Sequence, residues 1–400
     1  MGLDGPPPAA SPTLLRRFAG AAADELAILC RPAGRSADLP GQADASYRSL
    51  ANLLAAQGAS FQHVASETLF LRDIRHDLPQ VLEIRARVLA ELGQGACAPL
   101  PALIQQAPMG HGAGFELSAW VVIPRHRDAW SARDVQAVPS CTCEGCARSG
   151  SRMVRLGEQV SLHSTNVYGT GDDAFEEVLD MFRAAERLLQ QCGMSFRDVT
   201  RTWIHLRDID RDYDTLNRAR RQFFQERGIE LRPASTGVQG IPLTDDHDFS
   251  LTVQAIQSSQ PLDVTRMSTP TLNEAWSYGA DFSRGLRLRE ANKVTLSISG
   301  TASLDEAGRS VHVGNFEAQA YRMLENIEAL LAQQGASFDD LVSGVTYLKN
   351  PDDAPVLRSI YQERGFDNFP CAIVKAPLCR PELLCETEAV AVLPLATAGE

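Results

Sequence analysis

The feature that most constrains the fold of this chain is a segment that occurs three times. Its shared core reads Gly-x-Ser-Phe, and a strand-like run and a charged turn follow it. Each glycine ends a stretch with apolar residues at the i, i+3, i+4 spacing of a helix, where glycine is the expected cap. A chain that repeats such an element three times is predicted to fold as three similar units. The copies are Gly58-Ala-Ser-Phe61, Gly193-Met-Ser-Phe196 and Gly335-Ala-Ser-Phe338.

Each copy continues with a second predicted helix and closes with a β-run. The second helices are predicted at Val81–Leu92, Tyr213–Arg227 and Ala354–Arg364. The closing β-runs are predicted at Phe115–Ile123, Phe249–Ile256 and Leu383–Leu393. Leading strands are predicted before copies two and three, at Gln159–His163 and Lys293–Ser299, whereas copy one shows little before Leu50 and reads as truncated. This succession of helices and strands predicts an α+β protein.

The repeats divide the chain into five segments. We expect an N-terminal extension at 1–38, partly disordered because its first residues are rich in Pro, Ala and Gly, with 13–30 adding a short helix or strand to the first unit. We expect a degenerate first unit at 39–138, a cysteine-containing linker at 139–150, a second unit at 151–262 and a third unit at 263–400.

Composition restricts the partners. The net charge of −12 disfavours nucleic acid, and a small anionic substrate would need a local cluster of arginines. No run reaches the ~18 apolar residues of a membrane span, and the N-terminus lacks the basic and apolar regions of a signal peptide. Nine cysteines at irregular spacing predict reduced thiols and a cytoplasmic protein.

The last β-run contains two carboxylates. Side chains alternate between the faces of a strand, so Glu386 and Glu388 point to the same side. Two like charges on one buried face cannot both ionise cheaply, so at least one pKa should rise and supply a proton donor near neutral pH. The alternative is a wet strand end at which the glutamates pair with Arg380 or Lys375.

A cluster of cysteines lies in the predicted linker. Cys141-x-Cys143-x-x-Cys146 offers three of the four ligands that a structural zinc site needs. His163 is a possible fourth ligand, but it lies in a predicted strand. The spacing therefore predicts a turn of reduced thiols with no metal, and no other motif calls for a cofactor.

The third copy resembles the Rid (YjgF) fold, through Ile298-Ser-Gly300-Thr-Ala-Ser303 and the helix that contains Gln319 and Asn326. The resemblance implies βα units that pack as a trimer around an inner barrel, with small-molecule sites in the clefts between units. Three copies in one chain then imply an intramolecular pseudo-trimer, and hence a monomer or a loose homo-oligomer. Rid imine deaminases carry an arginine after a Phe-Pro pair. Here Phe369-Pro370 leads to Cys371-Ala372, which counts against plain imine deamination.

The chain is also similar to the chorismatase family, which has the same fold. The similarity covers about residues 150–394 well and 40–125 weakly, and its last motif is the most specific. The matching segments are Arg201-Thr-Trp203, Tyr213-Asp-Thr-Leu-Asn217-Arg-Ala-Arg220, Pro233-Ala-Ser-Thr-Gly237, Phe282-Ser-Arg284-Gly285 and Cys379-Arg380-Pro-Glu-Leu-Leu-Cys-Glu386-Thr-Glu388. Cys385 and Thr387 depart from the aliphatic residues usual in that motif.

The resemblance implies an enzyme that removes pyruvate from chorismate, a small dianion. It makes Glu386 the general acid that protonates the enol ether. Tyr213 is a candidate hydrogen-bond partner of a ring hydroxyl, and the alternative is a core position on an amphipathic helix. Gly285 and Cys379 match the subgroup that forms 3-hydroxybenzoate rather than a dihydroxycyclohexadiene carboxylate, which implies that Gly285 contacts the substrate and that Cys379 is a catalytic residue. The alternative for Cys379 is a small buried hydrophobic residue. The candidates for binding the two substrate carboxylates are Arg201, Arg220, Arg284 and Arg380.

Two other functions stay open at this point. One is a non-catalytic Rid-type module that binds a small carboxylate. The other is an enzyme of the same fold that acts on a different substrate in natural-product biosynthesis.

Overall fold

The computed structural model describes residues 13–32, 38–110 and 112–395. The predicted disorder at 1–12 lies outside these ranges. Three mixed sheets, each accompanied by a pair of long helices, form three units along the chain. The α+β class and the three repeated units are confirmed, and the units form an intramolecular trimer.

The first unit has a five-stranded sheet in the order β1-β2-β5-β3-β4. Its elements are β1 (Thr13–Ala19), β2 (Ala23–Cys30), α1 (Leu39–Ala56), β3 (Val64–Leu71), α2 (Ile74–Glu91), β4 (Ala102–Gln105) and β5 (Phe115–Pro124).

The second unit has a six-stranded sheet in the order β10-β9-β11-β8-β7-β6. Its elements are β6 (Trp130–Gln136), α3 (Glu144–Ala147), β7 (Gly150–Leu156), β8 (Gln159–Val167), α4 (Ala174–Gln191), β9 (Val199–Leu206), α5 (Ile209–Arg227), β10 (Ala234–Gln239) and β11 (Phe249–Ser258).

The third unit has a six-stranded sheet in the order β12-β13-β14-β17-β15-β16. Its elements are β12 (Asp263–Arg266), β13 (Gly285–Arg289), β14 (Val294–Ala302), α6 (Phe316–Ala332), β15 (Leu341–Leu348), α7 (Ala354–Arg364), β16 (Cys371–Lys375) and β17 (Cys385–Leu393).

The repeated Gly-x-Ser-Phe motif makes the same turn in each unit. Its glycines, Gly58, Gly193 and Gly335, have φ values of 68°, 74° and 69°, the left-handed region that glycine enters without a steric penalty. A 3₁₀ turn with a capping box at the serine follows each glycine and leads into β3, β9 or β15. The closing strand of each unit pairs antiparallel with that strand, and the short strand after the second helix pairs parallel with it.

Two of the expected segment boundaries differ from the sheets. Residues 13–30 form the hairpin β1–β2, and β2 pairs with β5, so the first unit is not truncated before Leu50. The strand β6 pairs with β7, so the second sheet begins well before residue 151 and the predicted linker lies within the second unit. The expected helix or strand at 13–30 is thus a strand pair, whereas β6 had no predicted counterpart, because its sequence WSARDVQ alternates too weakly to indicate a strand.

Backbone bridges join the three units, and the units share a cavity. Isolated β-bridges connect Gln105 with Ile241, Pro108 with Val374 and Ala234 with Ser283. Residues of all three units line a cavity of about 180 Å³. None of the helices in the described ranges combines the length and the apolar character needed to cross a bilayer.

Candidate active site between the second and third units

A cavity of about 640 Å³ lies between the second and third units. The second unit contributes α5 and β10 to its wall. The third unit contributes the loop before β13, the end of β14 and the segment before β17. A volume in this range suits a small-molecule ligand. Of the residues singled out from the sequence, Tyr213, Arg284, Cys379, Arg380 and Glu386 line this cavity.

Glu386 faces the cavity from β17 although its side chain is almost fully buried. Its carboxyl lies directly against Gly300 of β14, where a methyl group in place of the glycine hydrogen would overlap it. Burial, and after it the negative charge of Glu388, raise the pKa of Glu386 to about 8 against the opposing effects of Arg284, Arg201 and Arg380. The predicted rise in pKa is therefore present, and the carboxyl is protonated at neutral pH.

Glu388, two residues further along β17, has different surroundings. Its Oε2 accepts a hydrogen bond from Arg201 Nη2 at 2.7 Å, and its Oε1 accepts one from Trp203 Nε1 at 2.6 Å. Both members of this ion pair are buried. The alternative of a wet strand end that pairs with Arg380 or Lys375 is wrong, because Glu388 is paired with Arg201 and both glutamates are buried.

The placement of Arg201 corrects its expected role. Its guanidinium is committed to Glu388, donates to Thr236 Oγ1 at 2.6 Å and lies 4.9 Å from the ring centre of Trp203. It borders the smaller cavity shared by the three units and does not line the 640 Å³ cavity. We therefore assign Arg201 to the support of Glu388 rather than to a ligand carboxylate.

Arg284 and Arg380 flank Tyr278 on the cavity wall, with their guanidinium carbons 5.1 and 4.9 Å from its ring centre. Arg284 Nε donates to the carbonyl of Asn273 at 2.9 Å, and Arg380 Nη1 donates to the carbonyl of Gly308 at 2.8 Å. Within the described ranges neither arginine forms an ion pair with a carboxylate. Both therefore present uncompensated positive charge beside the cavity.

Arg220 lies behind the same wall, fully buried, and does not itself line the cavity. Its guanidinium donates to Ser235 Oγ at 3.3 Å and to Asn217 Oδ1, both side chains of cavity-lining residues. It has no ion-pair partner in the part of the chain that the structure describes, and burial lowers its pKa. A buried cation without a carboxylate is costly, so this position favours an anion nearby.

Only one of the two positions linked by resemblance to product choice lines the cavity. Cys379 lines the cavity beside Tyr213, and burial followed by the charge of Glu386 raises the pKa of its thiol to about 12. Gly285 does not line the cavity. A methyl group there would lie 2.9 Å from both Met267 Sδ and the carbonyl oxygen of Ser297. The expectation that Gly285 contacts the ligand is therefore not supported by its placement.

Sequence reasoning missed three residues of this region. Tyr278 lies in a 3₁₀ turn at Ala275–Tyr278, in a segment for which no element had been predicted. Trp203 and Thr236 lie within the matching motifs without a predicted role, although they hydrogen-bond to the ion pair of Glu388 and Arg201. The aromatic pair Trp276 and Tyr278, shortly before Phe282-Ser-Arg284, was the available signal.

Repeated α+β units with a ligand-sized cleft between two of them define the chain as a Rid-type protein. The endoribonuclease L-PSP family model matches residues 277–393. The 3-aminoacrylate deaminase RutC of Acinetobacter baylyi is 33% identical over 95 residues, which are 24% of this chain and 75% of that protein. A RutC family protein of Pyrococcus abyssi is 30% identical over 95 residues, with the same coverage. The chain belongs to the RutC family.

The whole chain has a structural counterpart as well. The crystal structure of a chorismatase superposes with a TM-score of 0.57 and 16% identity, covering 82% of this chain and 93% of that one. At this identity the likeness concerns the fold. The expected chorismatase-like arrangement of Rid units is therefore confirmed as a fold.

Proposed function

We propose that this chain is a chorismatase-type enzyme that releases pyruvate from chorismate by protonating its enol ether. The observation that carries the proposal is Glu386, a carboxyl with a pKa of about 8 that faces a 640 Å³ cavity. A general acid must hold its proton at the working pH and transfer it within a site that excludes bulk water. Its neighbour Glu388 does not line this cavity, and its two carboxyl oxygens accept hydrogen bonds from Arg201 and Trp203.

The cavity suits a small dianion. Chorismate carries one carboxylate on its ring and one on its enolpyruvyl group. Arg284 and Arg380 offer guanidinium groups at the wall, and Arg220 adds positive charge from behind Ser235. Planar guanidinium groups pair well with carboxylates because two parallel N–H donors match two oxygens. The partner of this protein is thus proposed to be a small anionic metabolite.

The chemistry begins with proton transfer from Glu386 to the methylene carbon of the enol ether. The cation that forms on the adjacent carbon makes the ether oxygen a leaving group. If the neighbouring ring hydroxyl displaces it, pyruvate leaves, and loss of a ring proton then gives 3-hydroxybenzoate with no net consumption of water. If water attacks the cation instead, one water is consumed and the products are pyruvate and a dihydroxycyclohexadiene carboxylate. In both routes a proton returns to Glu386.

The test uses the purified chain with chorismate. Pyruvate is measured with lactate dehydrogenase and NADH, and the aromatic product is measured by chromatography. Glu386→Gln keeps the shape of the side chain but lacks the proton, so its turnover should fall by at least ~10²-fold, the low end of general acid catalysis. Substrate binding should change little, because the arginines hold the carboxylates.

Glu116→Gln is the matched control. Glu116 is the equivalent of Glu386 in the first unit. It lies on the closing strand β5 opposite Phe70, just as Glu386 lies on β17 opposite Tyr347. It is also buried, and burial raises its pKa to about 7. Because it does not line the 640 Å³ cavity, its variant should keep normal turnover. Near-normal turnover of Glu386→Gln, or tight chorismate binding without any pyruvate, would contradict the proposal, and the second result would favour the non-catalytic binding module.

A second candidate function follows from the relatives of the third unit. One of them is a 3-aminoacrylate deaminase, and hydrolysis of an enamine also begins with protonation of a carbon. The absence of an arginine after Phe369-Pro370 weighs against it. Release of ammonia from 3-aminoacrylate, with no pyruvate from chorismate, would favour this candidate.

A further inference from the structure

Three cysteines and one histidine meet inside the second unit. The cysteines, Cys141, Cys143 and Cys146, lie between β6 and β7, and His247 lies between β10 and β11. The four ligand atoms all lie within 4.8 Å of one another. The sequence offered only His163 as a fourth ligand, but His163 lies on β8, whereas His247, 101 residues beyond Cys146, completes the set.

The distances within this cluster are close to those of a metal site, although some are slightly shorter. The sulfurs of Cys141, Cys143 and Cys146 lie 3.6, 3.2 and 3.5 Å from His247 Nε2. Cys141 Sγ lies 3.3 Å from Cys146 Sγ. Four ligands around a tetrahedral zinc ion require about 3.8 Å between sulfurs and about 3.6 Å between sulfur and nitrogen. We propose that these four side chains bind one Zn²⁺ ion.

The surroundings hold the ligands in a binding geometry. The backbone N–H of Cys143 donates to Cys141 Sγ at 3.4 Å, and that of Cys146 donates to Cys143 Sγ at 3.3 Å. Such bonds stabilise the thiolate form that a metal requires. Both N–H donors belong to the turn that carries the cysteines, in which Cys143 is the N-cap residue of the short helix α3.

The imidazole of His247 is oriented by ring stacking. Its ring stacks on Tyr168, with the centroids 4.7 Å apart and an angle of 18° between the planes. Its Nε2 faces the sulfurs, and its Nδ1 lies 3.9 Å from Glu177 Oε1, beyond hydrogen-bond distance. Gly145 gives Tyr168 the space for this stacking, since a methyl group at Gly145 would lie 3.1 Å from the tyrosine ring.

Two alternatives fit less well. A disulfide needs sulfurs about 2.05 Å apart, and it would leave one of the three thiols and the histidine without a role. If the three cysteines were only reduced thiols, nothing would require a histidine nitrogen within 3.6 Å of each sulfur, as is found here. Four protein ligands also leave no open position on the ion, so the site is structural rather than catalytic.

The site would fix a loop that contacts the first unit. Within that loop Ile241 bridges to Gln105, Leu243 packs into the core of the first unit, and Asp245 forms an ion pair with Arg75. None of the four ligands lines the 640 Å³ cavity. Removal of the metal should therefore loosen the contact between the first and second units.

The experiment uses the full chain, purified under reducing conditions without a chelator. We expect one zinc per chain by elemental mass spectrometry, released by an organomercurial in proportion to the thiols that it modifies. Exchange with Co²⁺ should give the visible absorption bands of a tetrahedral cobalt–thiolate site. The metal-free protein should unfold at a temperature lower by about 5 °C or more, and addition of Zn²⁺ should restore the difference.

Variants locate the ligands. Cys143→Ser and His247→Gln should each lose bound zinc, whereas Cys97→Ser, at a free cysteine outside the cluster, should keep it. A chain with reduced thiols, no stoichiometric zinc and no cobalt–thiolate bands would overturn the proposal, and so would a disulfide within the cluster. If the ligand variants fail to fold, the metal content and the cobalt spectrum of the unchanged chain still decide the question.

Discussion

At the scale of single residues, Glu386 and Glu388 show how neighbours decide the state of a carboxyl group. Both lie on one face of β17, and both are buried. Glu388 meets a buried arginine and an indole N–H, which stabilise its charge. No hydrogen bond reaches the carboxyl of Glu386 within the part of the chain that the structure describes, and burial favours its neutral form. Two carboxyl groups two residues apart on one strand thus have opposite surroundings.

The effect of Glu388 on Glu386 gives a prediction about pH. Activity needs protonated Glu386, so turnover should fall as the pH rises through its pKa of about 8. Glu388→Gln removes a negative charge that raises this pKa and leaves Arg201, which lowers it. The alkaline limb of the turnover profile should therefore move to lower pH. An unchanged limb, or one that moves to higher pH, would contradict this reasoning.

Glu388→Gln also leaves a buried arginine unpaired and can destabilise the chain. The companion variant carries both Arg201→Gln and Glu388→Gln and therefore removes both charges. Because the effect of Glu388 on the pKa of Glu386 is larger than that of Arg201, the limb should still move to lower pH, though by less.

Cys379 gives a prediction about products. If 3-hydroxybenzoate is the main product, Cys379→Gln should shift the products toward the dihydroxycyclohexadiene carboxylate, because an amide in the cavity can hold a water molecule near the cation. The ratio of the two products at equal conversion is the measurement. Gly285→Ala should be examined separately, since a methyl group there approaches Met267 and the carbonyl of Ser297 rather than the ligand. An unchanged ratio in Cys379→Gln at full turnover would exclude a role for this position.

At the scale of secondary-structure elements, the site depends on the register between β14 and β17. Ala302 pairs with Glu386 and Thr301 with Thr387, after an irregularity that begins at Ile298. This irregularity sets Gly300 against the Glu386 carboxyl. The equivalent positions on the other closing strands, opposite Phe70 and His205, carry Glu116 and Ser250. Three similar units therefore place only one such acid in the large cavity.

Gly300→Ala tests this register. The added methyl group would force the Glu386 carboxyl to move, and displacing a catalytic group by about 1 Å can cost up to ~10²-fold in rate. We expect kcat/KM to fall at least ~10-fold with little change in the thermal midpoint, because the end of a glutamate side chain can shift. Gly237→Ala is the control. It lines the same cavity, but its nearest contact, Tyr213, would be at an ordinary 3.5 Å. Equal losses in both variants would contradict the argument.

At the scale of the whole molecule, a buried ion pair closes the contact between the first and third units. Lys293 pairs with Glu25 of β2 and lies 3.8 Å from Glu290, and all three side chains are buried. The neighbouring Asn292 accepts a hydrogen bond from the N–H of Ala22 and donates one to the carbonyl of Ala23. The hairpin that seemed an extension in the sequence is thus part of the interface between units.

Lys293→Met should destabilise the chain strongly. It preserves most of the volume but leaves two buried carboxylates without a cation, a change that costs about 3–5 kcal/mol in free energy of unfolding. Burial already raises the pKa of Glu290, and removal of the lysine charge should raise it more. The folded variant then binds more protons than the unfolded chain, so the loss of unfolding free energy should be larger at pH 8 than at pH 5. Urea unfolding at both pH values is the measurement. Arg309→Met, at an ion pair whose arginine is 78% exposed, should cost less than about 1 kcal/mol, and a similar cost in both variants would refute the prediction.

The sequence alone determined what depends on local chemistry. The left-handed glycine and the serine cap of each repeat are set within a few residues, so the three turns and the strands after them were predicted from the motif. The alternation of side chains along a strand likewise placed Glu386 and Glu388 on one face.

Only the tertiary structure decided which groups meet across the units. Arg201 lies 187 residues from Glu388, and His247 lies 101 residues from Cys146, so no spacing rule links them. The hairpin β1–β2 is a strand pair because it packs on β5 and against Asn292, not because its own residues alternate clearly. Local propensity fixes a turn, whereas the protonation state of a buried acid and a complete set of metal ligands depend on contacts between distant segments.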